Sequence, residues 1–262
     1  MQQCVFGRNP ALYDRARLSY PRQLFDILAD RCGLGPGTTL FEIGPGTGLA
    51  TRELLRRGAT RLVLIEADRR LARFLRQRLA SREADVTILT SPFEETLLPK
   101  AKFDLGVAAS SFHWLSPRKS LRLIARALRP GGWWAAWIQY YVDPYRGSPF
   151  QTTVQALYRE HLGPTSLFPT RFVEARERAR RLDQLRSAGC FRRVRREDLR
   201  EDVTVSAARV EQAWSTFPHI ACLPLRRRQA FLLDLRHALD AHFGGEVLLR
   251  TLTAVYTAQR RS

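Results

Sequence analysis

The chain has 262 residues, a length that suits one α/β domain with an elaboration and leaves two independent domains open. Hydrophobic residues make up 45% and charged residues 26%, a balance that excludes a disordered or fibrous chain. No run approaches the roughly 18 to 20 apolar residues of a membrane span, and the N-terminus lacks the apolar core of a signal peptide. We therefore expect a soluble, cytoplasmic protein with no membrane association.

The formal net charge is +18, and nearly all the cations are arginine, since Lys100, Lys102 and Lys119 are the lysines. A GC-rich genome would produce that skew without any functional demand, whereas a polyanionic partner would require it, and composition alone leaves both open. The cysteines Cys4, Cys32, Cys190 and Cys222 show neither C-x-x-C spacing nor nearby histidines. This scatter argues against a metal site and against a disulfide framework.

Apolar runs alternate with helical patterns between Phe6 and Tyr141, which is typical of a parallel, doubly wound sheet. The predicted helices are Arg22–Cys32, Thr47–Arg57, Arg69–Ala80 and Pro117–Leu128. The predicted strands are Thr39–Ile43, Arg61–Glu66, Val86–Thr90, Phe103–Ala109 and Gly132–Gln139, with "RPGG" at Arg129–Gly132 as the turn before the last.

The pattern changes after Tyr141. Helices are predicted at Gln151–Leu162 and Arg171–Ser187, then an extended stretch, a helix capped by Ser206, a helix Leu225–Phe243 closed by Gly244, and a last strand Glu246–Ala258. We expect three parts: a core over residues 1–141, a helical cover insertion over 142–188, and a C-terminal part over 189–262 that completes the sheet and the cover.

A glycine turn joins the first strand to the next helix in "TLFEIGPGTGLATRE". The dinucleotide fingerprint needs glycines at relative positions 1, 3 and 6, but the sixth position is Leu49, which disfavours a hydride-transferring dehydrogenase. The chain instead has G-x-G-x-G preceded by a carboxylate, formed by Gly44, Gly46, Gly48 and Glu42. Such a turn brings backbone N–H groups and a helix N-terminus close to a ligand.

This turn resembles the first motif of the class I S-adenosylmethionine-dependent methyltransferases, and four further motifs follow in order. They are "LVLIEADRRL", "SPFEE", "FDLGVAASSFHWL" and "ALRPGGWWAAW", preceded by "ALYDRARLSYPRQLFDIL". The "FHW" that ends the fourth strand resembles the subgroup around trans-aconitate methyltransferase. The resemblance implies a doubly wound, mostly parallel, seven-stranded Rossmann-like sheet, with S-adenosyl-L-methionine as cofactor.

The chemistry of the cofactor suggests roles for the residues that match these motifs. A carboxylate at the end of the second strand can accept both hydroxyls of a ribose diol, a role that falls to Glu66. Asp68 is predicted to cap the following helix. The resemblance implies that Glu42 orients the amino-acid end of the cofactor, and it places the remaining contacts at Tyr13, Ala67, Phe93, Glu94 and Ser110.

The methyl acceptor is expected at "SSFHW", where the fourth strand ends. His113 is the candidate general base, although a structural hydrogen bond is the alternative, and Trp114 is a candidate pocket wall. Tyr20 and His219 are further candidates for acceptor binding. The segment lacks the "[DNS]-P-P-[YFW]" of enzymes that methylate base amines, and no cysteine between Gly33 and Gly189 could serve a cytosine C5 enzyme.

The sequence thus predicts methyl transfer to an O or N atom of a small molecule, which could be anionic. An RNA methyltransferase that uses the arginine-rich surface is the alternative enzyme, and nucleic acid is the less favoured partner. A non-catalytic cofactor-binding protein of the same fold is the alternative outside catalysis. The sequence leaves the oligomeric state open.

Overall fold

The computed structural model describes residues 6–80, 85–163 and 171–262. Cys4 and residues 164–170 of the predicted cover insertion lie outside the described residues. The chain divides into two compact units. The sheet unit comprises Ser19–Gln139, Arg176–Leu199 and Thr253–Ser262, and the helical unit comprises Met1–Leu18, Tyr140–Ala175 and Arg200–Leu252.

A seven-stranded sheet of order β3-β2-β1-β4-β5-β7-β6 confirms the predicted fold class. The pairs β1–β2, β2–β3, β1–β4 and β4–β5 are parallel. The strand order therefore reverses between β1 and β4, as in other doubly wound sheets. The strands are β1 Thr39–Ile43, β2 Arg61–Ile65, β3 Asp85–Leu89, β4 Phe103–Ala109, β5 Leu128–Tyr140, β6 Phe191–Ser206 and β7 Glu246–Arg260.

Most α-helices of the described residues were predicted, and these begin and end close to their predicted bounds. They are α1 Pro10–Ala16, α2 Arg22–Cys32, α3 Leu49–Arg56, α4 Arg69–Leu79, α5 Pro117–Ala127, α6 Pro149–Leu162, α7 Arg171–Ser187, α8 Ala207–Ser215, α9 Pro218–Ala221 and α10 Leu225–Phe243. The short helices α1 and α9 were not predicted, because each spans too few residues to show a helical period.

Local capping chemistry sets several of these helix ends. The Asp68 side chain accepts from the Arg70 N–H and confirms the predicted cap of α4. Ser206 caps α8 in the same way by accepting from the Arg209 N–H, and α10 ends at Gly244 in the left-handed conformation. The predicted turn at Arg129–Gly132 instead belongs to β5, where the pairing register with β4 is irregular between Phe103 and Leu105.

The core of the sheet unit forms around the central strands β1 and β4. Phe41 of β1 is fully buried, and its ring lies 5.1 Å from Phe103 edge-on and 6.4 Å from Trp134. Phe41 pairs in register with Gly106 of β4. A Cβ atom at Gly106 would lie 2.3 Å from the tip of the Phe41 ring, so this strand position admits only glycine beside that ring.

The helical unit has its own apolar cluster, centred on Trp214 of α8. The rings of Phe217, Phe150 and Tyr141 lie 5.2, 5.3 and 5.9 Å from Trp214, each edge-on. Edge-to-face contacts of this kind stabilise aromatic cores beyond their buried area. The predicted division into residues 1–141, 142–188 and 189–262 stays a prediction.

The cysteines and the helices can be compared with the expectations of no disulfide framework and no membrane span. Cys32, Cys190 and Cys222 are free cysteines. In the part of the chain that the structure describes, no helix combines the length and apolarity required to cross a membrane.

The contact between Phe41 and Gly106 makes a testable prediction about stability. We expect Gly106→Ala to destabilise the protein by about 1 to 3 kcal/mol, because the added methyl group forces the buried ring to shift. Urea unfolding measures the change. Gly35→Ala is the matched control, since a Cβ atom there meets nothing within 4 Å. Equal losses of stability in the two variants would contradict this account of the strand pairing.

Candidate functional site

Most of the residues expected at the site lie within the sheet unit, at the carboxyl ends of β1, β2 and β4. Glu42 pairs in register with Leu64 of β2 and with Val107 of β4. The residues that follow these strands therefore meet at one edge of the sheet, where the strand order reverses. In doubly wound folds, this is the edge where ligands bind.

The glycine turn runs from β1 into α3 with Gly44, Gly46 and Gly48 all at positive φ. A Cβ atom at Gly44 would lie 2.7 Å from the Cβ atom of Ser111, so glycine is needed there for close approach of the chain after β4. Gly46 differs, because nothing lies within 4 Å of a Cβ atom built there. The backbone of the turn is therefore open at Gly46, at the edge where the strand ends meet.

Glu66 follows β2 directly and is only 6% exposed. One of its carboxylate oxygens accepts from the Gly46 N–H at 3.0 Å and the other from the Asp68 N–H at 2.9 Å. Desolvation raises the pKa of Glu66, against the effect of these backbone hydrogen bonds. Since a carboxylate oxygen can accept two hydrogen bonds, each oxygen keeps the capacity to accept one more.

Glu42 is completely buried near the carboxyl end of β1. Its Oε2 accepts from the Thr51 hydroxyl at 2.6 Å, while its Oε1 has no hydrogen-bond partner among the described residues. Burial raises the pKa of Glu42 to about 7, opposed by the Thr51 hydrogen bond and reinforced by the charge of Glu66. A buried oxygen without a partner is costly, so this atom is suited to a ligand that donates a hydrogen bond or carries positive charge.

The end of β4 is tied to both of its neighbouring strands. Ser110 has φ of 52°, a left-handed conformation that is strained for a residue other than glycine. Its N–H donates to the Trp137 carbonyl at 2.8 Å, and its hydroxyl lies 3.5 Å from the Tyr20 hydroxyl. The Ser111 hydroxyl donates to the Ile43 carbonyl of β1. These contacts hold Ser110 at the point where the strand order reverses.

His113 and Trp114 belong to the short 3-10 helix that follows β4, with their rings 4.7 Å apart. Desolvation, and after it the positive charge of Arg181, lowers the pKa of His113 to about 4. The residue as a whole is exposed. Contact with solvent reduces this desolvation, but the pKa of His113 is still shifted downward. His113 is neutral near pH 7.

Several predicted site residues are used in packing or capping. Phe93 is 3% exposed and stacks parallel to Phe41 at 6.4 Å. One oxygen of Glu94 accepts from the Ser116 N–H and from the Ser120 hydroxyl, at the start of α5. Ala67 is exposed directly after Glu66.

Tyr13 and His219 belong to the helical unit. His219 shares a hydrogen bond of 2.5 Å with the Tyr158 hydroxyl, and desolvation followed by the charge of Arg17 lowers its pKa to about 4. The Arg17 guanidinium lies over the rings of Phe217 and Tyr13, at 4.0 and 4.8 Å. Within their own unit, Tyr13 and His219 are thus both close to Arg17.

Three residues that were not predicted hold or surround the predicted site residues: Thr51, Arg17 and Arg181. Arg17 stood in the quoted segment "YDRARLSYP", so its motif was a usable signal. Thr51 lies one helical turn past the glycine turn, but no pattern marked its bond to Glu42. Arg181 lies far along the chain from His113, so local sequence carried no signal. Among the described residues, Glu160, His161 and Asp234 have ligand atoms within 4.8 Å of one another, and no metal is assigned to them.

Comparison with known proteins identifies the segment that carries this site. Residues 41–136 match the family model described as a methyltransferase domain. This segment of the chain is therefore similar to a methyltransferase domain. S-adenosylmethionine is the cofactor of this domain family, and the matched segment includes Glu42, the glycine turn, Glu66 and His113.

Two relatives show how far the likeness extends. An uncharacterised methyltransferase of Mycobacterium tuberculosis is 31% identical over 127 residues, which cover 48% of this chain and 49% of that protein. A mitochondrial dimethyladenosine transferase 1 of Vermamoeba vermiformis is 42% identical over 82 residues, which cover 31% of this chain and 22% of that protein. The chain thus matches about half, or less, of the length of these curated relatives.

The likeness in fold covers nearly the whole chain. A phosphoethanolamine N-methyltransferase 2 of Haemonchus contortus, solved with phosphomonomethylethanolamine and S-adenosylhomocysteine, is similar with a TM-score of 0.59. The match covers 98% of this chain and 58% of that chain at 16% identity. At that identity the comparison supports the Rossmann-like fold, and the acceptor of that enzyme is not carried over.

The raised pKa of Glu42 predicts a pH dependence of stability in the cofactor-free protein. Because the folded-state pKa is about 7 and the ordinary value is 4.5, the stability due to this group is present at low pH and lost as the pH rises through 7. Glu42→Gln should therefore become more stable relative to wild type by about 2 to 3 kcal/mol between pH 5 and pH 8.

Urea unfolding at the two pH values measures this difference. Glu95→Gln is the control, since Glu95 is an exposed carboxylate in the same unit. We expect the control to differ from wild type by the same amount at both pH values. A Glu42→Gln variant that behaves like this control would show that Glu42 ionises normally in the folded protein.

Proposed function

We propose that this protein transfers a methyl group from S-adenosyl-L-methionine to an O or N atom of a small-molecule acceptor. The observation that carries the proposal is the pair of buried carboxylates beside the glycine turn. Glu42 has a buried oxygen without a partner, and Glu66 keeps acceptor capacity on both oxygens. Both lie in the segment that matches the methyltransferase domain.

The residues present fit this cofactor by their donor and acceptor chemistry. Glu66 would accept the ribose hydroxyls, and the orphaned oxygen of Glu42 would receive the ammonium group of the amino-acid end. The open backbone at Gly46 would allow close approach. When bound, the cofactor would supply a methyl group on a sulfonium. The acceptor atom must then approach the methyl carbon in line with the bond between carbon and sulfur, and the thioether is the leaving group. The protein then contributes mainly alignment, which can supply roughly 7 to 11 kcal/mol of the barrier.

His113 is proposed to position the acceptor rather than to act as a strong base. Its lowered pKa leaves the imidazole neutral near pH 7, so a ring nitrogen can accept a hydrogen bond from an O–H or N–H group. The same lowered pKa makes it a weak proton acceptor. Trp114 and Tyr20 would then form part of the acceptor pocket, and the finer likeness to the trans-aconitate subgroup stays a prediction.

The choice of a small molecule over RNA rests on two observations. The segment Ser110–Trp114 lacks the motif of enzymes that methylate base amines. Many arginines are paired with carboxylates at separate places on the surface, in the pairs Arg57–Asp26, Arg129–Asp104, Arg180–Glu177 and Arg236–Glu211. This pairing supports a positive charge that is dispersed over the surface and is not arranged as a continuous binding surface for phosphates.

RNA methylation is the second candidate, because the likeness to the dimethyladenosine transferase reaches 42% identity. An acceptor screen that measures S-adenosylhomocysteine release separates the candidates. We expect turnover with phenols, carboxylates or amines, and none with RNA. Cofactor-dependent methylation of RNA would overturn the small-molecule assignment, and binding without any turnover would favour the non-catalytic alternative.

The cofactor assignment is tested by native mass spectrometry and calorimetry. We expect protein purified without added cofactor to retain an adenosyl ligand, and S-adenosylhomocysteine to bind while NAD does not. Glu66→Ala should weaken that binding by about 1.5 to 3 kcal/mol, through loss of charge-assisted hydrogen bonds. Glu95→Ala, which removes an exposed carboxylate, should leave it unchanged. Unchanged affinity in Glu66→Ala would remove Glu66 from the site.

The role of His113 is tested with the acceptor that the screen identifies. We expect His113→Asn to keep the affinity for S-adenosylhomocysteine and to lower kcat by about fivefold or less, with the larger effect on the acceptor KM. Wild-type kcat should show no titration by His113 between pH 6 and pH 8. The exposed His237→Asn serves as control. A fall of about 10² to 10⁴ in kcat would instead identify His113 as the base.

A further inference from the structure

A cavity of about 690 Å³ lies within the sheet unit, between α2 and the strands β5 and β6. Ile27, Asp30 and Arg31 of α2 line it from one side, Trp133 lines it from β5, and Arg193 and Arg195 line it from β6. Its volume falls in the range of small-molecule sites. None of these residues is used by the proposed methyl transfer.

The cavity is remote from the edge where the cofactor residues lie. Trp133 pairs with Leu105 of β4, whereas Trp137, four residues later, pairs with Ala109 at the carboxyl end of that strand. Four residues of an extended strand span about 13 Å. The cavity therefore lies nearer the amino end of β4, and it is separate from the Glu42 and Glu66 site.

The charges that line the cavity favour an anion. Arg193 and Arg195 are exposed and have neither a hydrogen bond nor an ion pair from their side chains among the residues that the structure describes. Arg31 donates to Glu197 and, at 3.3 Å, to the Thr257 hydroxyl, which fixes its position. Asp30 is the one acidic residue in the lining. Two uncommitted guanidinium groups can bind a phosphate bidentately.

The backbone and the apolar side of the cavity add a second line of evidence. Arg193 has φ of 51°, although it lies in a strand, and Arg193, Val194 and Arg195 all line the cavity. Backbone strain in a residue other than glycine is concentrated at ligand sites. Trp133 and Ile27 both pack against the core and are half-buried, and both line the cavity, so Trp133 offers it an aromatic side chain that the core does not fully enclose.

From these features we propose that the cavity binds a nucleotide, with the base against Trp133 and the phosphate between Arg193 and Arg195. Stacking of a base on an aromatic ring beside cationic side chains is the usual chemistry of such recognition. The nucleotide could be free or a unit of single-stranded RNA, which share this chemistry. A nucleotide bound in this cavity would therefore lie apart from the site of methyl transfer at the other edge of the sheet.

Titration calorimetry with uridine monophosphate tests the proposal, because a pyrimidine nucleotide is a poor mimic of the adenosyl cofactor. We expect saturable binding, and at least about tenfold weaker binding of uridine or of inorganic phosphate alone. The double variant Arg193→Gln/Arg195→Gln should lose about tenfold or more in affinity. Arg61→Gln, which removes an exposed arginine elsewhere in the same unit, should keep it.

Thermal unfolding shows whether the double variant stays folded, and Trp133→Phe, which retains an aromatic ring, should bind within about threefold of wild type. A decamer of uridylate that binds tighter than the mononucleotide, and loses this advantage in the double variant, identifies RNA as the source. Equal affinities identify the free nucleotide. No saturable binding below about 10 mM, or unchanged affinity in the double variant, would overturn the proposal. The result does not depend on whether S-adenosylhomocysteine binds.

Discussion

Burial of the Glu42 carboxylate in the central strand is the constraint on which the cofactor edge depends. A carboxylate with no contact with water costs free energy unless its oxygens are satisfied. Among the described residues, only one of the two oxygens of Glu42 has a partner, the Thr51 hydroxyl. The charge of Glu66 adds to that cost. The two carboxylates are therefore not explained by the stability of the fold, and a ligand that donates hydrogen bonds to both offsets what the folded chain leaves unsatisfied.

The core of the sheet unit holds this arrangement in place. Phe41 immediately precedes Glu42, so its side chain points to the opposite face of the sheet, where it fills the space left by Gly106. The Ser111 hydroxyl joins the chain after β4 to the Ile43 carbonyl at the end of β1. Packing on one side and a hydrogen bond at the strand end together fix the register of β1 and β4, which determines where Glu42 and Ser110 lie.

Sequence patterns predicted the parts of the molecule that depend on local chemistry. The alternation of strands and helices as far as β5, the glycine turn and the cap at Asp68 follow from periodicity and motif spacing, as does the position of Glu66 at the end of β2. The seven-stranded sheet was implied by the resemblance to a known family. The environment of Phe93, stacked on Phe41, could not be predicted, because that contact joins segments about fifty residues apart in sequence. The bonds of Glu94 to the start of α5 and the charge of Arg181 near His113 are equally non-local.

The net charge of +18 illustrates why composition alone cannot identify a partner. Arginines such as Arg57 and Arg236 have carboxylate partners at the surface, and exposed pairs of this kind contribute about 0 to 1 kcal/mol each. They explain solubility better than recognition. Arg193 and Arg195 have the same formal charge, but they line a cavity with Trp133 and have no such partner within the described ranges of the chain. A guanidinium without a carboxylate partner has all its N–H donors available to a ligand, so the placement of a few arginines matters more than their number.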